Sequence, residues 1–420
     1  MTNSVQAQQR SGRSPKERGI AILAATFALA FLTLLTTELS YNTNIDYASA
    51  ANARDAMRAH FLARSGVNLS RLVIKVQKDI FDKYRRFLGD VQLADYVPML
   101  VPAFGGRPEE VGAFADSIGG IDSSRIKGLG LPEGDFDLWV GTEDGKINVN
   151  CAGGSANTQK QLELMLSALV QPVAYDKLFE ERDADGQFTD RATFVRAIID
   201  WVDRDEAAYG LPGQSEEYGY ESRPDQLEAR NNYIDTPDEL RLVRGMDDRK
   251  WELFGPTLSA FGGCRVNVAA TKDVGILAAI LYQSAKEPND PVLADPMKLW
   301  SLAAFVAQAR AFGIMFEDTK QFAEFVKDPM AMFADVADGT EGGMLPLLPN
   351  GQPLVGLELD LSKLNQVARA GNRRTYRVEV TARIGRVEKT LRAVWDNDTH
   401  NQNHTEPAYA RGSWVYWREE

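Results

Sequence analysis

The chain has 420 residues, of which 44% are hydrophobic and 25% charged, and its net charge is −12. These proportions are typical of a globular protein, and the length predicts roughly two or three domains. The acidic balance argues against a nucleic-acid-binding surface, while 2 cysteines and 3 histidines leave no zinc framework and little material for histidine-based catalysis.

An apolar run follows a polar, basic leader at the N-terminus. Residues 1–18 are polar, and Gly19 precedes an apolar stretch from Ile20 to Leu39. At ~1.5 Å per residue this stretch is about 30 Å long, which matches the hydrocarbon core of a bilayer. The basic residues before it predict a cytoplasmic N-terminus, with the bulk of the chain on the other side of the membrane.

The sequence after this run differs from that of an ordinary secretory signal peptide, which is shorter and ends at small residues. The run continues as an Ala-rich helical pattern through Leu69. A basic leader, a glycine, an apolar helix and an amphipathic extension together resemble the class III signal of type IV pilins and pseudopilins. That resemblance implies cleavage by a prepilin peptidase between Gly19 and Ile20, and a generic signal anchor is the alternative.

The middle of the chain contains a loose internal repeat. The strand pattern Ile147–Cys151 is followed by helical patterns, and about 120 residues later Val266–Ala269 begins the same order again. We therefore predict two small helical modules, each opened by a short Asn-containing strand. Asp-Thr pairs at 235–236 and 318–319 are typical of helix N-caps.

Two acidic stretches are candidate metal sites. In the first, 181–190, acidic residues and a glycine follow the spacing of an EF-hand loop, but the twelfth position is Ala192, where that loop has a bidentate Glu. A solvated turn is the alternative there. The second stretch, 200–217, clusters hard oxygen ligands that suit Ca²⁺, and a solvated helix end is its alternative. The candidate ligands are Asp200, Asp203, Asp205, Glu216 and Glu217, and more weakly Glu181, Asp183 and Asp185.

The hydrophobic period changes near the C-terminus. Apolar and polar residues alternate over 376–384, Gly385 provides a turn, and apolar positions recur up to Trp395. This pattern predicts a β-hairpin with one half-buried face. A last strand is predicted at 412–418, and the Pro- and Gly-rich stretch 329–356 is predicted to be a connecting loop.

Other motifs give little support for catalysis or DNA binding. Segments 126–130 and 242–246 faintly resemble helix-hairpin-helix DNA elements, but short glycine patterns of this kind are common and packing turns explain them. No Ser-His-Asp or Cys-His arrangement is evident in the sequence. We predict a protein that is not an enzyme and binds no nucleic acid, and a membrane-anchored periplasmic enzyme is the alternative.

Several short motifs follow one another along the chain: the Arg-Gly leader, Ala24, Gly66, Asp-Trp-Val-Asp at 200–203, Asn231, the Glu-Leu-Arg-Leu-Val-Arg-Gly run at 239–245, Val-Asn-Val at 266–268 and Tyr-Trp-Arg-Glu at 416–419. Their order resembles the minor pseudopilin K family of the type II secretion system over nearly the whole chain. Most pilin-like proteins have Glu at the fifth mature position, whereas this chain has Ala24 and the K family typically lacks that Glu. The chain departs from the family at Ala269, where a second Asn is usual, and in the long spacer 282–299.

The resemblance implies an α+β fold: a long N-terminal transmembrane pilin-like helix, a pilin-type antiparallel sheet and a large helical, SAM-like insertion. The expected divisions are a cleaved leader (1–19), the transmembrane and pilin-like helix (20–80), the start of the pilin-like domain (81–146), two helical modules (147–262 and 263–328), and a linker with the strands that complete the pilin-like domain (329–420).

The resemblance also implies a function in assembly. A minor pseudopilin K lies at the tip of the secretion pseudopilus with the minor pseudopilins I and J, near pseudopilin H and the major pseudopilin G, and supports protein export across the outer membrane. It is a methylated single-pass protein of the inner membrane with a periplasmic domain. Relatives carry calcium in the helical domain, which implies Ca²⁺ at the second acidic stretch. A subunit of another type IV pilus-like system is the alternative.

Cys151 and Cys264 flank the first helical module. An exported domain meets an oxidising compartment, in which two cysteines can pair. In the chain-entropy model, closing so long a loop would stabilise the fold by about 4–5 kcal/mol. Two separately buried thiols are the alternative.

Overall fold

The computed structural model describes residues 15–88, 91–105, 134–182, 186–216, 220, 227–309, 314, 316–331, 354–397 and 412–420. Within these ranges the chain forms a long helix, a four-stranded sheet, and a set of short helices inserted between the first two neighbouring strands of that sheet. The predicted segment 126–130 and most of the predicted loop 329–356 lie outside the described residues.

The α-helices are α1 (Pro15–Val76), α2 (Arg85–Leu88), α3 (Leu93–Gly105), α4 (Ala156–Val170), α5 (Asp176–Glu180), α6 (Arg191–Val202), α7 (Asp248–Phe254), α8 (Val274–Ser284), α9 (Pro291–Ala294), α10 (Pro296–Ala309), α11 (Thr319–Lys327) and α12 (Leu361–Val367). The strands are β1 (Gly134–Thr142), β2 (Ile147–Asn148), β3 (Leu258–Ser259), β4 (Val266–Asn267), β5 (Ala368–Arg369), β6 (Thr375–Ile384), β7 (Val387–Asp396) and β8 (Ser413–Glu419).

Helix α1 has two halves with different surroundings. From Gly19 to Ala50 every residue is exposed, and an 18-residue window of mean hydropathy 2.2 has no buried residue. By length and composition this part is able to cross a membrane. In the second half, Ala59, Leu62 and Ala63 are buried against the sheet. The helix begins at Pro15, so it includes the predicted cleavage point rather than starting after it.

The sheet is antiparallel, with the strand order β1-β6-β7-β8. The alternation predicted at 376–384 is present, because every second residue of β6 from Tyr376 to Ile384 points into the core. Gly66 of α1 lies against this face. A Cβ atom there would lie 2.6 Å from the Val380 side chain, so the helix approaches the sheet closely only because this residue is glycine.

The helical insertion has one hydrophobic core, separate from the core that α1 and α3 form with the sheet. Each predicted module does open with a short strand, and these strands pair in parallel, β2 with β3 and β4 with β5. The prediction of two separate modules at 147–262 and 263–328 nevertheless differs from the structure. Helices α4 and α8, one from each module, pack against each other, and apolar residues of both modules belong to the same core.

Candidate metal centre

The candidate site lies at the C-terminal end of helix α6. Asp190 caps the start of this helix, since its carboxylate accepts a hydrogen bond from the Thr193 N–H at 2.7 Å. The apolar side of α6 packs in the core of the insertion, and the helix ends at Asp203, whose N–H still donates to Ile199 O. Two carboxylates, Asp200 and Asp203, are thereby held at one helix end.

The loop after α6 brings a third carboxylate back to this helix end. Ala207 and Ser215 form a β-bridge, and Ala208 N donates to Gln214 O at 2.9 Å. The turn between them has two glycines with positive φ, Gly210 at 72° and Gly213 at 82°. Glu216 follows this bridge directly and therefore returns to the end of α6.

Asp200, Asp203 and Glu216 form a compact buried cluster. One carboxylate oxygen from each lies within 4.8 Å of the others, and the three residues are only 8%, 2% and 5% exposed. Three carboxylates so close together repel one another strongly when all are ionised in a poorly solvated place. The cluster therefore requires either protons or a cation.

The hydrogen bonds of the cluster leave several oxygens without a donor. Asp200 Oδ1 accepts from Tyr209 N at 2.7 Å, and Asp203 Oδ2 accepts from Gln159 Nε2 at 3.3 Å. Among the described residues, Asp203 Oδ1 and both oxygens of Glu216 have no hydrogen-bond partner. Buried carboxylate oxygens are normally paired, so these three are free to serve as metal ligands.

Asn231 brings a neutral side chain next to Glu216, whose pKa it lowers. Its Oδ1 is buried with no hydrogen-bond partner among the described residues, and its N–H donates to Trp201 O at 3.2 Å. Its φ is 49°, a left-handed conformation that non-glycine residues seldom adopt and Asn adopts most readily. In the sequence, Asn231 contributes only to the family resemblance. A single Asn in an irregular segment gave no signal that it would lie beside the acidic cluster.

Burial and mutual repulsion raise the pKa values of all three carboxyl groups. Burial raises the pKa of Asp200 to about 6, against the hydrogen bond from Tyr209 N that lowers it. Burial, together with the charges of Asp200 and Asp205, raises the pKa of Asp203 to about 7. Burial and the charge of Asp203 raise the pKa of Glu216 to about 8, although the side chain of Asn231 acts to lower it.

The ligand atoms that this cluster offers fit Ca²⁺. All are oxygens, three from carboxylates and one from an amide, and calcium takes such hard ligands in flexible sets completed by backbone carbonyls and water. No sulfur or imidazole ligand belongs to the cluster within the described chain, which distinguishes it from a structural zinc site.

The other predicted ligands lie elsewhere. Asp205 is exposed, and its Oδ1 accepts from Ala207 N at 3.1 Å, so it shapes the loop and is not one of the clustered residues. In the first acidic stretch, Glu181 forms an ion pair with Arg249 at 2.9 Å. The remaining predicted ligands, Glu217, Asp183 and Asp185, fall outside the described residues.

The remaining predicted positions are the two cysteines and the two residues at the predicted cleavage point in α1. Cys151 and Cys264 are joined as a disulfide, with Cα atoms 5.6 Å apart. Gly19 lies in α1 with Ile20 exposed beside it, and a Cβ atom on Gly19 would meet no neighbouring atom within 4 Å. Packing therefore does not require glycine at this position.

The fold defines an α+β protein. Its long N-terminal helix is apolar and exposed in its first half and packs on an antiparallel sheet in its second half, and a large helical insertion interrupts the sheet. The predicted fold class is thus confirmed.

Residues 145–263 match the family model described as type II secretion system protein K. The predicted resemblance to this family is therefore confirmed for this part of the chain. No curated protein matches the chain. One solved structure similar to it is the GspK-GspI-GspJ complex from the type 2 secretion system of enterotoxigenic Escherichia coli. The two chains are 16% identical, with 69% of this chain and 81% of that chain covered and a TM-score of 0.43.

Proposed function

We propose that this chain is a minor pseudopilin at the tip of a type II secretion pseudopilus. It would nucleate assembly with the minor pseudopilins I and J, near H and the major pseudopilin G, and so support export across the outer membrane without catalysing a reaction. The observation that carries this proposal is the match of residues 145–263, which hold the candidate metal centre, to the protein K family. The long helix with an exposed apolar half supports it.

We further propose that the exposed first half of α1 anchors the chain in the inner membrane, with the sheet and insertion in the periplasm. The basic leader supports this orientation. Removal of the leader after Gly19 would leave Ile20 as the methylated first residue. The absence of any packing role for Gly19 supports a role in recognition by the peptidase.

The same proposal includes Ca²⁺ held by Asp200, Asp203 and Glu216, with Asn231 as a neutral ligand. The ion would neutralise the buried carboxylates and fasten the loop 203–216 to the end of α6. Its role would be structural, because it would join the end of α6 to the loop that follows this helix.

Co-purification with the partners tests the proposed assembly. Ala50 and Ala53 are exposed on α1 and permit close packing of a partner helix. We expect Ala50→Arg or Ala53→Arg to abolish co-purification of pseudopilins I and J with the membrane-extracted chain, while the thermal unfolding of the chain stays unchanged. Asn52→Arg is the matched control, since at roughly 100° per residue Asn52 projects from another side of the helix. Retention of both partners by the Ala50 and Ala53 variants would place the interface elsewhere.

A further inference from the structure

A cleft of about 420 Å³ lies where the pilin-like sheet meets the helical insertion. Helix α3 and strand β1 form one side, and the segment that leads from β4 into α8 forms the other. Arg373, which precedes β6, also lines the cleft. A space of this size accommodates a few side chains and is in the range of ordinary ligand sites.

Arg373 is a buried cation with unused donors. The residue is 5% exposed, and its Nε and Nη2 have no hydrogen-bond partner among the described residues. Its Nη1 lies 3.7 Å from Asp95 Oδ1. Lys272 Nζ lies 3.3 Å from the same oxygen. A single carboxylate, that of Asp95, therefore faces two cations, and a buried guanidinium with unmade hydrogen bonds is costly.

The other charged groups around the cleft do not remove this excess of positive charge. Lys146 also lines the cleft and lies 3.4 Å from Glu143, which already pairs with Arg377 at 2.7 Å. Asp273, which caps α8 by accepting from Ile276 N at 2.9 Å, is the second carboxylate of the lining, which has three cations. The cleft is thus locally cationic in a chain whose net charge is −12. Charge complementarity favours an anionic ligand.

An apolar wall lies beside these cations. The Trp139 side chain is 48% exposed and lines the cleft together with Pro98 and Pro256. Its ring lies over Gly141, where a Cβ atom would collide with it. The glycine therefore allows the indole to lie flat on strand β1, with one face available to a ligand.

We propose that this cleft binds an acidic peptide segment of a protein partner. A carboxylate of that segment would face Arg373 and Lys272, and a neighbouring apolar side chain would pack on Trp139. The charges of Arg373 and Lys272 attract a carboxylate, and the indole wall favours a peptide over a small inorganic anion. This inference depends neither on bound calcium nor on the proposed place of the chain in a pseudopilus.

Titration calorimetry on the full chain in detergent micelles tests the proposal. The probe is the peptide acetyl-Leu-Glu-Leu-amide, and its control is acetyl-Leu-Gln-Leu-amide, which differs only in the missing charge. We expect the Glu peptide to bind about tenfold or more tightly than the Gln peptide, since charged hydrogen bonds are lost in the control. Equal affinities of the two peptides, or no binding by either, would overturn the proposal. Acetate or inorganic phosphate binding as tightly as the Glu peptide would show a general anion site and overturn it as well.

Variants of the cleft locate the binding. Arg373→Gln should abolish the preference for the Glu peptide. Because Arg373 is buried and its variant could unfold, Lys272→Gln provides a second test: Lys272 is 63% exposed, and its loss should weaken the Glu peptide several-fold at an unchanged melting temperature. Lys286→Gln is the matched control, since Lys286 is an exposed lysine paired with Glu358 away from the cleft. Unchanged binding by the Lys272 variant would place the peptide elsewhere.

Discussion

At the scale of single residues, the carboxylates of Asp203 and Glu216 combine burial with unpaired oxygens. A buried carboxylate without a hydrogen-bond donor is a source of instability in an ordinary core. Here these two groups converge with the buried carboxylate of Asp200 where α6 ends and the loop 203–216 returns. Their arrangement suits a site that is completed by a cation. Removal of the cation should therefore lower the stability of the insertion.

We expect a chelator to lower the melting temperature of the full chain. A Ca²⁺ ion that binds only the folded state, at a hundredfold excess over its dissociation constant, contributes about 2.7 kcal/mol. Asp203→Asn should remove the response to chelator and, in the absence of calcium, should raise the melting temperature because it relieves repulsion. Thermal unfolding with and without chelator measures both effects.

Asp205→Asn is the control for that experiment. Asp205 lies in the same loop but is exposed and is not one of the clustered residues, so this variant should keep its response to chelator. A melting curve of the native chain that does not move in excess chelator would show that the carboxylates hold no calcium.

The calcium-free chain should lose stability as the pH rises. Carboxyl groups in the unfolded chain have pKa values near 4, whereas burial raises those of Asp203 and Glu216 in the folded chain to about 7 and about 8. Between about pH 4 and pH 8 the folded state therefore binds more protons than the unfolded state, and the free energy of unfolding falls with increasing pH. Calcium-depleted protein should melt at a higher temperature at pH 5 than at pH 8.

The variant Glu216→Gln distinguishes this cause from other titrating groups. It removes the carboxyl group with the highest of the three pKa values and should flatten the fall in melting temperature between pH 6 and pH 8. An identical pH profile for Glu216→Gln and the native chain would contradict the assignment of the pH dependence to this cluster.

At the scale of elements, the sequence predicted those strands and helix caps that depend on residues close together in the chain. The alternation of 376–384 predicted β6, because one face of that strand is buried against α1 and the other is not. The cap at the second Asp-Thr pair is Asp318, as expected, whereas at the first pair the side chain of Thr236 accepts from Asp238 N. Both residues of such a pair are able to cap, and only the backbone conformation decides between them.

The Asn-containing strands show how far the repeat extends. Asn148 Oδ1 accepts from Asn150 N at 3.0 Å, and Asn267 Oδ1 accepts from Ala269 N at the same distance. The side-chain amide of Asn150 also bonds to the backbone at 234 and 260, which Ala269 cannot do in the second copy. The repeat was visible in sequence because this turn is local. The single core shared by both copies was not visible, since the packing of α4 on α8 joins segments far apart in the chain.

The candidate site was likewise predictable only where its residues are close together in the chain. Asp200 and Asp203 share one helix end, so their proximity followed from sequence. The inclusion of Glu216 and Asn231 and the exclusion of Asp205 depend on how an irregular loop folds back, and no periodic pattern encodes that path. Sequence indicated an acidic region, and the structure shows which of its residues converge.

The processing of α1 gives a prediction at the scale of this element. Because a Cβ atom on Gly19 meets nothing in the structure, Gly19→Leu should leave the fold intact but block the peptidase, whose approach to the backbone needs a small residue. We expect the variant to accumulate as uncut precursor, whereas the native mature chain begins at Ile20. Intact-mass analysis of membrane-extracted protein measures both. A native chain that begins near residue 41 would instead show ordinary signal-peptide removal.

At the scale of the whole molecule, residues 143–151 and 258–264 form a neck between the sheet and the insertion. Strands β2 and β3 pair there, with Ile147 opposite Leu258, and the disulfide between Cys151 and Cys264 joins the same two chain segments. Asp144 reinforces this neck, because its carboxylate accepts from Thr375 N at 3.2 Å and pairs with Arg369 at 3.0 Å. Since backbone pairing already holds the neck in the folded chain, the disulfide acts chiefly by restricting the unfolded chain.

Removal of the disulfide should therefore lower the free energy of unfolding while the chain still folds. The bond spans 113 residues, and in the chain-entropy model its loss costs about 4–5 kcal/mol. We expect Cys151→Ser with Cys264→Ser to melt at a lower temperature than the native chain and still to respond to chelator, because the clustered carboxylates lie on α6 and its loop and not at the neck. Thiol titration of the unfolded, unreduced native protein should find no free thiol. Two free thiols in protein taken from the periplasmic side would show that the bond does not form there, and the native chain should then melt at the same temperature with and without reductant.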